Sequence, residues 1–188
     1  PMKKLQIQQY LRKLQLNDFE PAVNLATLTK LQDAHLKYIP YENFDCLNGK
    51  ITSLKRQDMF NKVIMHNRGG ICFELNGLYN WLLESLGFEV TSYAARFIDK
   101  METYQLRRHR VMCVTLGDKR YLTDVGMNSE SPRVPLEILE GLIQSDGISQ
   151  YKFTRSEFWG WLLWQKERGK IWKRLFGFTE EPQIDKDF

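Results

Sequence analysis

Cysteine and histidine are scarce in this 188-residue chain, three of each, and that scarcity narrows the chemistry before any motif is read. Cys46, Cys72 and Cys113 are too few for a disulfide framework, and no Cys or His spacing has the form of a zinc site, so free thiols and no metal are expected. Long apolar runs are missing too. None approaches the ~20 residues that span a bilayer, so no membrane partner is expected. The opening stretch, Pro1-Met2-Lys3-Lys4-Leu5-Gln6-Ile7-Gln8-Gln9-Tyr10, turns too polar for a secretory signal, which makes a cytoplasmic location the default expectation. Internal repeats and low-complexity linkers are absent as well.

What is present suits a soluble globular protein: 43% hydrophobic and 27% charged residues, with a formal net charge of +4. The length allows one domain or two small ones. Positive charge is concentrated in Arg107-Arg108-His109-Arg110 and from Lys166 to Arg174, and such runs usually form solvated faces. Phe158 to Phe178 adds Trp159, Trp161, Trp164 and Trp172 among the cations, a mixture that single-strand nucleic-acid binders also use. Aromatic residues are ordinary in sheets, so the segment reads as core strands with solvated edges and no nucleic-acid partner is expected.

The chain changes texture at Gly87. Before it, helices are predicted from Lys3 to Leu16, from about Thr29 to Lys37, from Ser53 as N-cap to His66, and from Cys72 to Leu86. The second should stop before Ile39-Pro40, because a residue preceding proline is pushed out of the α region. After Gly87, Phe88 to Phe97, Val111 to Leu116, Tyr121 to Val125, Tyr151 to Phe153 and Phe158 to Trp164 read as strands, with a turn at Glu167-Arg168-Gly169-Lys170. Helices first and strands afterwards imply an α+β fold, a helical bundle (1–87) followed by antiparallel β structure (88–178).

The richest stretch is Arg68-Gly69-Gly70-Ile71-Cys72-Phe73-Glu74-Leu75-Asn76-Gly77, which runs into the apolar helical pattern. A thiol needs help to become a nucleophile, and the positive end of a helix favours the thiolate. Gly69 and Gly70 offer unusual backbone freedom and close approach. A cysteine nucleophile also needs a base and a group to orient it. His35 and His66 fall in or beside helices, where each can simply cap or pack. His109 opens a strand, and Asp124 closes the next one inside an apolar run, where a buried carboxylate demands a partner. A two-residue turn at Asp118-Lys119 would set Asp124 opposite Cys113, so pairing it with His109 calls for a bulge or bend.

Four segments together resemble the arylamine N-acetyltransferase family. Arg68 to Asn76 is similar to its cysteine signature, Ile39-Pro40-Tyr41-Glu42-Asn43-Phe44 to its N-terminal signature, His109 stands at its histidine position, and Tyr121-Leu122-Thr123-Asp124-Val125-Gly126 resembles its aspartate strand. The match is looser through Trp172 and Phe176-Gly177-Phe178-Thr179-Glu180-Glu181-Pro182, and Met127-Asn128 stands where the family has an aromatic residue and a glycine.

The resemblance implies a fold related to papain-like cysteine enzymes: a helical bundle, a β-barrel and an α/β lid. Residues 179–188 would be only the start of that third domain, with most of it missing from this chain and activity reduced accordingly. It further implies ping-pong acetyl transfer from acetyl coenzyme A, through a thioester on Cys72, to an arylamine, arylhydrazine or arylhydroxylamine, a role in xenobiotic metabolism. His109 would act as base and Asp124 would orient it. Arg68 and Glu42 would form a buried ion pair under the site, Gly69 and Gly70 would support it, and Gly126 would contact the cofactor. The alternatives are a remnant that keeps the triad with little turnover, or a related acyltransferase or thioester hydrolase.

Overall fold

The computed structural model describes residues 1–98 and 106–188. The helical part holds α1 (Lys4–Lys13), α2 (Leu25–Tyr38), α3 (Phe44–Leu47), α4 (Arg56–Phe60) and α5 (Cys72–Ser85). Helix α2 begins a turn earlier than the apolar pattern predicts, because the Asn24 side chain accepts the Thr27 amide at 2.8 Å and caps it. It ends where predicted, with Ile39 extended ahead of Pro40.

The third predicted helix is different. Ser53 does not cap it; Ser53 lies outside, donating to Asp58 at 2.6 Å, and α4 starts at Arg56. Beyond Phe60 the helix widens into a π-helical turn, Asn61–Met65. From within this turn Lys62 reaches Glu74 of α5 at 2.8 Å.

The strands are β1 (Glu89–Phe97), β2 (His109–Leu116), β3 (Lys119–Thr123), β4 (Leu136–Glu137), β5 (Gln144–Ser145), β6 (Ser149–Ser156), β7 (Gly160–Glu167) and β8 (Lys173–Phe178). They form one antiparallel sheet in the order β4-β3-β2-β1-β8-β7-β6-β5. Its two ends nearly meet. The Gln144 side-chain amide on β5 accepts from the Glu137 amide at 2.7 Å and donates to the Glu137 carbonyl at 2.9 Å on β4, so a side chain bridges the gap in the barrel. The predicted strand start at Phe158 is overruled: Phe158 and Trp159 form the turn, and β7 begins at Gly160 with φ +75.

Strand alternation divides the sheet between two cores. Val111, Cys113 and Leu122 face the barrel interior with Tyr151, Phe153, Leu163, Phe176 and Phe178. Met112, Val114 and Tyr121 face outward onto Leu75, Leu78 and Leu82 of α5. Helix α5 is therefore buried on nearly every side, as expected for a helix that is apolar all round. On the far wall the tryptophan-rich segment is structural: Trp161 is buried beneath the Arg155 guanidinium, and Lys152 lies over the Trp172 ring.

Among the described residues no helix is long and apolar enough to cross a membrane. Nor, among them, does any group of His, Cys, Asp and Glu side chains have the arrangement to hold a metal ion.

Candidate active site

Cys72 is the first residue of α5 and is buried at its edge, with 9% of its surface exposed. The turn before it is docked on the Ile39–Phe44 stretch: Tyr41 and Gly70 form a parallel bridge, and the Glu42 amide donates to the Gly70 carbonyl at 3.0 Å. Neither Gly69 nor Gly70 has positive φ, so backbone freedom is not their purpose. Close approach is. A Cβ on Gly69 would sit 2.0 Å from the Pro40 carbonyl oxygen, and no side chain can occupy that place.

His109 meets Asp124 without a bulge. The hairpin turns at Gly117-Asp118, one residue earlier than expected, because Gly117 takes φ +64 in the manner of the tight turns that suit twisted strands. The register becomes Met112 opposite Thr123. Continued by one residue it sets Asp124 across from Val111, diagonal to His109 on the same face. His109 Nε2 and Asp124 Oδ2 lie 2.6 Å apart, and both residues are fully buried. The rings of Phe97 and Phe176 flank the imidazole at 5.1 and 5.4 Å.

Burial by itself would strip the proton from His109, but the Asp124 charge and hydrogen bond, with smaller contributions from Cys72, push its pKa up to about 10. With Nε2 held by Asp124, Nδ1 is the ring nitrogen left over, and Cys72 is the next group acting on the ring. The Cys72 Sγ also lies 3.6 Å from the Arg108 carbonyl oxygen.

Three residues that sequence reasoning gave no role complete the site. Asn76, one turn beyond Cys72 on the same face of α5, donates to Asp124 Oδ1 at 2.8 Å and to the Arg110 carbonyl at 2.5 Å, and accepts the Val125 amide at 2.9 Å. It thereby fastens the aspartate loop to the helix that carries Cys72. The signal is an asparagine on the face of the helix that Cys72 begins, among apolar neighbours Leu75 and Leu78. Glu74, 2% exposed, accepts the Ile71 amide at 3.0 Å and the Lys62 ammonium at 2.8 Å. Only the distance in space between α5 and the π-helical turn reveals Lys62.

The Arg68–Glu42 pair exists but is not the buried pair expected. Arg68 Nη2 lies 2.7 Å from Glu42 Oε1, yet 41% of the Arg68 side chain is exposed against 9% for Glu42. Arg68 also meets Asp45 at 3.2 Å, which makes the pair the outer part of a longer network. Gly126 lies directly under the thiol: a Cβ there would be 2.8 Å from Cys72 Cα, and its amide donates to Asp124 Oδ1 at 2.8 Å. Asn128, at the position where the family has glycine, takes φ +57, a left-handed conformation that asparagine tolerates better than most residues with a Cβ. His35 and His66 are not near the thiol's partners; His35 is sealed in the helical core.

A thiol at a helix start, an imidazole beside it and a buried carboxylate behind form a Cys-His-Asp triad set between a helical bundle and a nearly closed barrel. The sequence model of the N-acetyltransferase family matches residues 24–188, and the chain belongs to that family. It is 35% identical over 180 residues to an arylamine N-acetyltransferase of Mycolicibacterium smegmatis, covering 93% of this chain and 64% of that relative's length. The fold is similar to the solved M. smegmatis arylamine N-acetyltransferase, with a TM-score of 0.92 at 33% identity, covering all of this chain and 68% of the other. It is also similar to the Mycobacterium marinum arylamine N-acetyltransferase in complex with CoA, with a TM-score of 0.87 at 28% identity over 96% of this chain and 68% of that one.

Proposed function

We propose that this chain carries out acetyl transfer from acetyl coenzyme A to the nitrogen of an arylamine or arylhydrazine, or the oxygen of an arylhydroxylamine, through a thioester on Cys72. The observation that carries the reading is the imidazole of His109, fully buried, held by Asp124 at 2.6 Å on one nitrogen and left to the thiol on the other. Cys72 is the nucleophile, His109 the base and Asp124 the group that fixes the imidazole's orientation.

In the first half-reaction the Cys72 sulfur, its proton already held on His109, attacks the acetyl carbonyl. Expulsion of the coenzyme A thiolate, which receives that proton, leaves acetyl-Cys72. In the second, the acceptor attacks the thioester, His109 removes its proton and returns it to the Cys72 sulfur, and the acetylated acceptor departs. With its pKa pushed up to about 10, the ring holds the thiol proton at neutral pH.

Gly126 lets the aspartate loop pack directly on the first turn of α5, where a Cβ would meet Asn76 Nδ2 and Cys72 Cα at 2.8 Å, and its place beside Cys72 is what supports a contact with the coenzyme in this reading. Tyr41, 38% exposed, has its phenol pKa raised by partial burial and by the nearby Cys72, and it offers the acceptor an aromatic surface. The same reading divides the chain into 1–87 with the nucleophile, 88–178 with His109 and Asp124, and 179–188 as part of a further unit. Asp185 clamps that last segment to both others, through Arg56 at 2.8 Å and Arg110 at 2.9 Å. Turnover of aromatic xenobiotics in the cytoplasm is the physiological role that fits. Incubation with acetyl coenzyme A, followed by intact-mass measurement, should show gain of one acetyl group, lost in Cys72→Ala. Acetylation of Cys72→Ala to the same extent would overturn the assignment.

A further inference from the structure

Beneath the Cys72 turn runs a chain of alternating charges: Glu74 to Lys62 at 2.8 Å, Lys62 to Asp45 at 3.0 Å, Asp45 to Arg68 at 3.2 Å, and Arg68 to Glu42 at 2.7 Å. From Arg68 inward exposure falls, from 41% at Arg68 through 17% at Lys62 to 3% at Glu74, while Glu42 at the far end is 9% exposed. Lys62 is the member that touches both sides of the nucleophile. Its backbone carbonyl accepts the Arg68 amide at 3.1 Å, four residues before Cys72, and its ammonium holds both oxygens of Glu74 at 2.8 and 3.1 Å, two residues after it.

Glu74 in turn accepts the Ile71 amide, the backbone group immediately ahead of Cys72. This is half of a capping box, since Ile71 has no side-chain acceptor to complete it. A carboxylate this deeply buried needs its cation, or its own geometry is lost. Lys62 makes this contact from within the π-helical turn, an i to i+5 stretch closed by the His66 amide on the Asn61 carbonyl at 2.9 Å. Such turns recur at functional sites, where they redirect a side chain.

We propose that Lys62 is a positioning residue for the reaction, acting through Glu74 to fix the Cys72 turn against His109, with the π-helical turn as the device that delivers it. The proposal rests on Cys72 being the reacting thiol. It concerns neither acetyl coenzyme A nor the acceptor.

The test is therefore the rate at which iodoacetamide alkylates Cys72, read by peptide mass, with exposed Cys46 as internal reference. Lys62→Gln should slow Cys72 alkylation by about 10- to 100-fold, as expected when a reacting group is misplaced by an ångström or less, with Cys46 unchanged. Lys62→Arg, which can still bridge two carboxylates, should restore most of the rate. Glu74→Gln should slow it comparably, and adding Lys62→Gln to Glu74→Gln should cost little more, because both act through one contact. Circular dichroism at the assay temperature confirms that the folded protein is being compared. If Lys62→Gln does not fold, Glu74→Gln and Lys62→Arg carry the test: a slow first and a near-parental second support the proposal. Parental alkylation in a folded Lys62→Gln or Glu74→Gln would overturn it, as would effects of the two changes that multiply in the double variant. Failure of acetylation with rapid alkylation would instead count against the proposed function and leave this inference standing.

Discussion

His35 and His109 are both fully buried, and they have opposite charge chemistry. His35 lies in the helical core between the rings of Tyr10 and Tyr79, with Nε2 2.9 Å from the Tyr10 hydroxyl, and burial drives its pKa down to about 3. His109 lies in the barrel wall between Phe97 and Phe176, an equally apolar setting, yet its pKa rises to about 10. Burial acts downward on both. Asp124, with smaller contributions from Cys72, reverses the outcome, so one carboxylate set in an environment that elsewhere only packs decides the charge of the ring.

The largest expected effect breaks the reactive side of the comparison. Cys72→Ala should remove acetylation altogether, as read by intact mass after exposure to acetyl coenzyme A. Next, His109→Ala and Asp124→Asn should each slow acetylation by about 10³- to 10⁴-fold, the usual cost of losing a triad base or its orienting carboxylate. His35→Leu should leave the acetylation rate of folded protein near the parental value. A large loss in His35→Leu with the fold intact would mean the two histidines are coupled, and the contrast would fail.

Stability should separate the histidines by pH. His35 is neutral when folded and takes up a proton when unfolded, so its contribution is present above about pH 6.5 and is lost as pH falls toward about 3. The loss is on the order of 5 kcal/mol if the full shift is expressed. His109 works the other way: its contribution is complete below about pH 6.5 and is lost as pH rises through about 10. Urea midpoints across this range should therefore show an acid slope that His35→Leu flattens and an alkaline slope that Asp124→Asn flattens. An unchanged acid slope in His35→Leu would assign the acid sensitivity to other groups.

The smallest effect compares the two ends of the charge chain under the thiol. Glu42→Gln should shift the denaturation midpoint less than Glu74→Gln does, because water already screens Arg68 while Glu74 is sealed. Equal shifts would mean that the network acts as one unit.

Much of this was legible in the chain itself. The Arg68 to Asn76 stretch announced a helix-mounted thiol, Ile39-Pro40 marked the end of α2, and the change of texture at Gly87 separated helices from strands. Such features are local: a proline, a glycine pair and an apolar period act on their near neighbours, and a sequence records near neighbours directly. The hairpin register was not legible, since a turn one residue earlier at Gly117 decides which residue faces which across two strands. Asn76 and Lys62 escaped notice for the same reason, as each matters through a partner 48 or 12 residues away.

The sequence by itself therefore determined which residues could react and the order of the elements that carry them. Tertiary structure alone decided that Asp124 reaches His109 rather than facing Cys113, that Arg68 is left partly in water, and that one buried histidine is charged while the other is neutral. The physical reason is that charge state and orientation depend on which groups face one another across space, and a helix or strand pattern specifies only the face from which a side chain departs.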